Sequence, residues 1–178
     1  MSIITRIKKG DQQAFEELIE EYKLPIYKTA KAILKDEDDV CDAIQDTCLS
    51  IYKNICNLKN EKYFKTWVIR ITINKCNDII AKHKLNNEKI IKMQSDVSEI
   101  QSNFDSNIID KTDLERAMDL LEEDLKLVTV LYYYNDMSVS DISEVINIPK
   151  GTVKSRIFRA REKLHQILDK EEVDAIEQ

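Results

Sequence analysis

Residues 138–168 read "SVSDISEVINIPKGTVKSRIFRAREKLHQIL". Ser138, followed three residues later by Asp141, has the form of a capping box with Asp in the Glu position. Ile142, Val145 and Ile146 then fall at helical spacing, which predicts a short helix. "NIPKG" reads as a turn, and Pro149 suits the first position of a second helix, where its missing N–H would have no partner anyway. At about 100° per residue from Lys150 onward, Val153, Ile157, Ala160, Leu164 and Leu168 share one stripe and must face a core. Gly151, Thr152, Ser155, Phe158, Arg159 and Glu162 lie on or towards the other side. Lys154 and Arg161 flank the stripe on one edge, Arg156 and Lys163 on the other. Two short helices joined by a tight turn, the second strongly basic, describe a helix-turn-helix.

The chain holds 21 lysines and only six arginines, yet Arg156, Arg159 and Arg161 all stand in this last helix. An arginine fork can pair with two acceptors of a guanine edge, which a lysine cannot do with the same geometry. Arg159 and Ser155 sit one turn apart on the outer face. A solvated basic face is the plainer reading of such a helix, and the capped helix and tight turn before it weigh against that.

Away from this stretch the composition predicts an all-α protein. Two glycines and two prolines in 178 residues leave little turn chemistry for hairpins, and helix-forming side chains dominate. No apolar run is long enough to span a bilayer, and the N-terminus has charges where a secretory signal needs an apolar core. A cytoplasmic protein without membrane insertion is expected. The four cysteines, Cys41, Cys48, Cys56 and Cys76, make no Cys-x-x-Cys pair. With only His83 and His165 to join them they give no zinc spacing, and they read as reduced, small apolar residues. No Gly-rich phosphate loop and no nucleophile–His–acid set is visible, so neither catalytic residues nor cofactors are expected.

The net charge of −6 conceals a pattern. Residues 149–170 carry seven basic and two acidic side chains, residues 110–148 three basic and ten acidic. Residues 36–46 carry six acids and no base, and residues 65–84 five bases and one acid. Basic blocks on helices are candidate phosphate contacts. Helices are expected over 11–34, with Pro25 kinking or dividing the first, over 39–55, and over 63–84. Residues 85–110, rich in Asn, Ser, Asp and Gln, read as a linker that holds at most a short helix around 88–94. Order resumes with Leu114, Ala117, Met118, Leu121, Leu125, Val128 and Leu131. Phe64 and Trp67 read as core. At least one of Tyr132, Tyr133 and Tyr134 is expected in the core, with another facing a partner. The acidic stretch 119–124 reads as a solvated helix end, with packing against basic elements as the alternative.

These motifs together resemble the extracytoplasmic-function sigma factors. "GTVKSRIFRAREKL", preceded by "MSVSDISEVINIP", is similar to their region 4, and "DLERAMDLLEEDLKLVTVLYYYND" to the rest of that region. "GDQQAFEELIEEY", "DVCDAIQDTCLSIY" and "YFKTWVIRITINKCNDIIAKHK" resemble the three helices of their region 2. The resemblance implies two small helical domains: a region 2 bundle over 1–84 and a region 4 helix-turn-helix over 110–178, joined by a flexible linker over 85–109. It implies that core RNA polymerase and promoter DNA are partners, and that an anti-sigma factor, often membrane-anchored, controls the protein. It places Lys154, Ser155, Phe158 and Arg159 among the readers of a minus-thirty-five element, with Thr152 and Arg156 at phosphate or supporting positions. It places Asp39, Asp42, Gln45 and Asp46 against a basic surface of the polymerase clamp. The loop from Asn57 to Lys65 would capture a flipped minus-ten base, with Tyr63 a stacking candidate. Asn74, with Lys65, Arg70, Lys75 and Asp78, would follow the minus-ten strand. Cys41 stands where the family usually carries an acid, which shifts weight onto Asp39, Asp42 and Asp46. A helix-turn-helix regulator with an N-terminal sensor or oligomerisation domain is the competing reading. The acidic helix followed by a basic, aromatic-bearing helix speaks against it.

Overall fold

The computed structural model describes residues 2–93 and 112–176. Every regular element among them is helical. In the first half these are α1 (Ile3–Lys8), α2 (Gln12–Ile33), α3 (Glu37–Asn54) and α4 (Phe64–Met93), with two short 3₁₀ turns, Ile55–Asn57 and Glu61–Tyr63, between α3 and α4. In the second half they are α5 (Asp113–Asp119), α6 (Glu123–Thr129), a π-helical turn at Val130–Tyr134, α7 (Val139–Val145) and α8 (Lys150–Ile176).

Side-chain caps set five of the helix starts. Ser2, Asp11 and Asp36 each accept backbone N–H bonds at the N-termini of α1, α2 and α3. Glu37, Asp38 and Asp39 add three carboxylates to the first turn of α3, where the helix dipole favours negative charge. Thr112 and Glu115 complete a reciprocal capping box on α5. Ser138 accepts the N–H of Asp141, as expected, but the Asp141 carboxylate takes the Ser138 hydroxyl at 2.7 Å.

Two expectations need correction. Pro25 does not divide the first helix, since α2 runs unbroken from Gln12 to Ile33. The ring removes one backbone donor, but Ile26 and Ala30 beyond it are fully buried and hold the continuation. The third helix does not stop near residue 84. It continues to Met93 and absorbs the short helix expected around 88–94. The rest of the expected linker, 94–109, lies outside the described residues.

The turn between α7 and α8 has a specific chemistry. Asn147 adopts φ +55°, the left-handed region. The Ile148 N–H reaches back to the Ser143 carbonyl at 3.2 Å, closing a Schellman motif with Asn at C′. Asn enters this region more easily than a β-branched residue. Asn147→Val should therefore lower stability by about 1–2 kcal/mol in urea unfolding, whereas Asn147→Gly should be close to neutral.

Apolar packing joins the two halves. Ile4, Ile7, Leu18, Ile26, Ile51 and Phe64 form the core of the first half. Ile69 and Ile73 of α4 instead bury against Val128, Leu131, Met137, Ile142, Val145, Val153 and Ile157 of the second. Ala32 of α2 packs with Met118, Leu121, Leu125, Val130 and Ala160. The first half thus keeps a core of its own, whereas the second closes its core with side chains of α2 and α4.

Candidate nucleic-acid interface

Helix α8 is anchored as its pattern predicts. Val153, Ile157 and Ala160 are buried, and Leu164 and Leu168 are half-buried. Lys154, Ser155, Phe158 and Arg159 are exposed. Phe158 is 61% exposed, so this large aromatic ring serves no core. An outward ring beside an outward guanidinium suits the apolar and bidentate contacts of a major groove. Thr152 and Arg156 are half-buried at the edge of that face.

The edges of α8 are already paired. Arg156 forms an ion pair with Asp124, and Lys163 Nζ donates to Glu122 Oε1 at 2.6 Å. Lys163 and, more distantly, Arg159 hold the Glu122 carboxyl below its usual range. On the opposite edge, Arg161 donates to the Tyr133 hydroxyl at 2.9 Å. The acidic stretch 119–124 is thus no merely solvated end. It lies along one flank of the basic helix and leaves the outer face open. None of Tyr132, Tyr133 and Tyr134 is buried, contrary to expectation. The π turn places Val130 and Leu131 inside and turns the three rings outward. There Tyr132 meets Tyr133 edge-on at 4.9 Å, and Lys28 lies 4.1 Å from the centre of the Tyr134 ring.

A second surface lies on the first half. A cleft of about 620 Å³ opens between the end of α3, the following 3₁₀ turn and α4. Ser50, Asn54, Asn57, Asn74 and Asn77 line it together with Trp67 and Ile71. Each amide offers both donors and an acceptor, and an indole offers a stacking plane. Such a lining matches the polar edge and flat face of an unstacked base. Lys75 and Asp78 also reach the cleft, 3.9 Å apart. The expected Asn74, Lys75 and Asp78 are therefore brought together. Phe64 is buried as expected, but Trp67 is only half-buried and serves both core and cleft.

Other expected residues fall elsewhere. Tyr63 is exposed and Lys65 half-buried, and neither lines the cleft. Arg70 points to the second half, its Nη2 donating to Glu144 Oε1 at 2.8 Å. Ser50, Asn54 and Asn77 were not singled out from sequence. The signal for the two asparagines was the excess of short amides on either side of Trp67, visible only once α3 and α4 are known to converge.

The third surface is acidic. Asp42 and Gln45 are exposed on α3, and Asp39 and Asp46 half-buried. The spacing of Asp39, Asp42 and Asp46 puts three carboxylates on one helix face. His83 Nε2 of α4 lies 3.2 Å from Asp39 Oδ1. Cys41 is exposed beside them. Cys76, by contrast, is buried, and burial pushes its thiol up to about 12, which leaves it unreactive. Among the described residues no group of three or more His, Cys, Asp or Glu side chains stands close enough to hold a metal, and no helix is long and apolar enough to cross a membrane.

A helix-turn-helix with an exposed basic face, an amide-lined cleft on a basic helix and an acidic helix face fit one class, the sigma-70-type transcription initiation factors. Family models agree: residues 3–85 match Sigma-70 region 2, and residues 111–164 match Sigma-70, region 4. The chain is 32% identical over 178 residues to the ECF RNA polymerase sigma factor SigW of Bacillus subtilis, covering 93% of this chain and 94% of that one. It is 30% identical over 178 residues to the ECF RNA polymerase sigma-E factor of Escherichia coli K12, covering 90% and 89%. This chain belongs to the ECF RNA polymerase sigma factors. Its fold is similar to that of the sigma factor RpoE of Bartonella quintana, solved with the anti-sigma factor NepR, at TM-score 0.68 and 20% identity over 87% of this chain and 96% of that one. It is also similar to CnrH, solved with the cytosolic domain of CnrY, at TM-score 0.63 and 22% identity over 94% and 95%.

Proposed function

We propose that this alternative sigma factor binds core RNA polymerase in the cytoplasm and directs initiation at its own class of promoters, without catalysing a reaction itself. Region 2 over 1–84 holds the polymerase and the minus-ten element, and region 4 over 110–178 reads the minus-thirty-five element. Residues 85–109 connect them, the first nine as a continuation of α4. Lys154, Ser155, Phe158 and Arg159 read bases, with Thr152 and Arg156 supporting them at phosphates. Asn74, Lys75 and Asp78 act at the cleft, with Tyr63 and Lys65 at its approach and Arg70 on the same helix. Asp39, Asp42, Gln45 and Asp46 face a basic surface of polymerase, where complementary charge steers association. A membrane-anchored anti-sigma factor holds the protein inactive.

The observation that carries this reading is the presence of two dissimilar surfaces on one chain, an exposed basic helix face and an amide-rich cleft. The outer face of α8 suits a duplex groove, and the amide cleft suits a base already out of its stack. A regulator that binds duplex DNA alone has no use for the second. The chain's charge of −6 also opposes tight binding to DNA without a partner. Run-off transcription tests it, with core polymerase, with and without this protein, on a fragment carrying the gene's own upstream region. A discrete transcript that needs the protein supports the reading. Tight duplex binding by the protein alone, with no transcript, would replace it by that of a regulator.

A further inference from the structure

The amide cleft opens onto a loop that has little to fasten it. Asn57 lines the cleft, and residues 57–63 run from there to the start of α4. Among these seven only Leu58 is buried. Asn60 Oδ1 accepts the Lys62 N–H at 3.0 Å, a bond internal to the loop. A loop held by one side chain and its own turns has several conformations open to it. Ordering it around a captured base then costs entropy, and the base is met less squarely.

Helix α1 supplies the missing ties. Lys8 Nζ donates to the Leu58 carbonyl at 2.6 Å, one residue past Asn57 of the cleft. Glu61 Oε1 accepts from Ser2 Oγ at 2.7 Å and from Thr5 Oγ1 at 3.1 Å. Ser2, Thr5 and Lys8 stand three residues apart, so they share one side of α1 and its cap. Ile4 and Ile7 of the same helix are buried in the core that also holds Ile55 and Leu58. The helix is therefore fixed from behind while its polar side holds the loop at two points. The bond from Lys8 carries a full charge and lies partly out of water, which makes it the stronger tie. The tie at Glu61 also turns a carboxylate towards α1. Lys59, Lys62 and Tyr63 remain exposed on the loop, two cations and a ring.

We propose that α1 is the positioning element of this loop. Ser2, Thr5 and Lys8, acting through Glu61 and the Leu58 carbonyl, set where the loop stands beside the cleft. They thereby set how sharply the protein discriminates the minus-ten base it captures, without touching DNA themselves. A binding site gains selectivity when the residues behind it hold it in one geometry. The purpose rests on the minus-ten role given to residues 57–65, whereas the fastening itself does not.

Lys8→Met keeps most of the stem and removes the ammonium. Thr5→Val keeps the shape, removes one hydroxyl and leaves the Ser2 cap in place. Both are made in the full chain, singly and together, beside Lys8→Arg, whose guanidinium can serve the same carbonyl. Run-off transcription with core polymerase uses the fragment carrying the gene's own upstream region. Further templates replace its minus-ten and its minus-thirty-five bases one at a time. In the combined variant, the largest drop caused by a minus-ten replacement should shrink roughly two- to ten-fold, the range of one hydrogen bond's net contribution. Drops caused by minus-thirty-five replacements should stay as they are, and Lys8→Arg should keep the natural pattern. Hydrogen–deuterium exchange should be faster at amides 58–63 in the combined variant and unchanged in α8. Faster exchange with every minus-ten ratio intact would make the ties structural only and overturn the proposal. An equal loss of transcript from all templates would make Lys8 a phosphate contact and overturn it too. A natural chain that transcribes but ignores every minus-ten replacement would overturn the minus-ten reading instead. No transcript from the natural chain would overturn the sigma-factor reading, and exchange at 58–63 would still decide whether α1 holds the loop.

Discussion

Arg159→Ala should cut the run-off transcript by roughly 5- to 150-fold, the loss of about 1–3 kcal/mol that one bidentate base contact supplies. Its folded structure should survive, because Arg159 is exposed and its fellow residues Val153, Ile157 and Ala160 carry the anchoring of α8. Arg159→Lys is the sharper comparison. It keeps the charge, so attraction to phosphate and its salt dependence stay, but it loses the planar fork. Transcript from the best promoter should fall while that from mismatched promoters holds, which narrows the ratio between them. Arg156→Ala should behave differently. Arg156 is half-buried and paired with Asp124, so its loss leaves that carboxylate without its Arg156 partner as well as removing a cation. Circular dichroism and run-off on a panel of promoter sequences separate the three outcomes. Equal transcript from Arg159→Ala and the natural protein on every template would remove Arg159 from base reading.

Position 159 was legible in sequence because α8 is self-describing. Its apolar stripe recurs every three to four residues, so the inner face determines the outer face without knowledge of any neighbour. The cap at Ser138 is legible for the same reason, being settled within three residues. The cleft is different in kind. Asn54 and Ser50 belong to α3, Asn77 and Trp67 to α4, and only the packing of those helices makes them one site. The same holds for Arg70. Its spacing from Asn74 puts it on the expected strand-following helix, but its partner is Glu144, 74 residues away. A resemblance to region 2 carries the role of each position; it does not carry a contact made only when region 4 folds back.

Charge blocks show how far pattern reaches. The acids of 119–124 and the bases of 149–170 were visible as opposed segments. Their pairing, Asp124 with Arg156 and Glu122 with Lys163, follows from α6 packing on α8. This pairing is exposed and worth little to stability. Its effect is to orient: with one edge held, the long side chains of α8 project outward from a fixed flank. Pro25 makes the opposite point. Local chemistry alone predicts a kink or a break, and the helix runs on unbroken where Ile26, Thr29 and Ala30 are buried. The break that Pro25 threatens is also where the Pro25 carbonyl takes the Thr29 hydroxyl, so a local irregularity becomes part of the contact between halves.

Leu131→Ala should cost about 2–5 kcal/mol, the range for emptying a fully enclosed leucine site. Leu131 is 0% exposed and packs with Ile69 and Ile73 of the first half as well as with Ile142 and Val153 of its own. Its loss is therefore expected to weaken both halves, and one residue makes this measurable. Trp67 is the only tryptophan, lies on α4, and packs against the core of the first half. Its fluorescence follows the unfolding of that half, while far-ultraviolet circular dichroism follows all the helices. If the halves share a core, Leu131→Ala moves both urea midpoints downward together, by roughly 1–2 M at a slope typical of small proteins. If each half stood on its own core, the Trp67 midpoint would stay where it is in the natural chain while only part of the circular dichroism change shifted. The same pair of probes then weighs the contact between halves. Thr29→Val should separate the two midpoints, because it removes the acceptor of Asn135 Nδ2, 2.8 Å away in the second half, and leaves Leu131 in place.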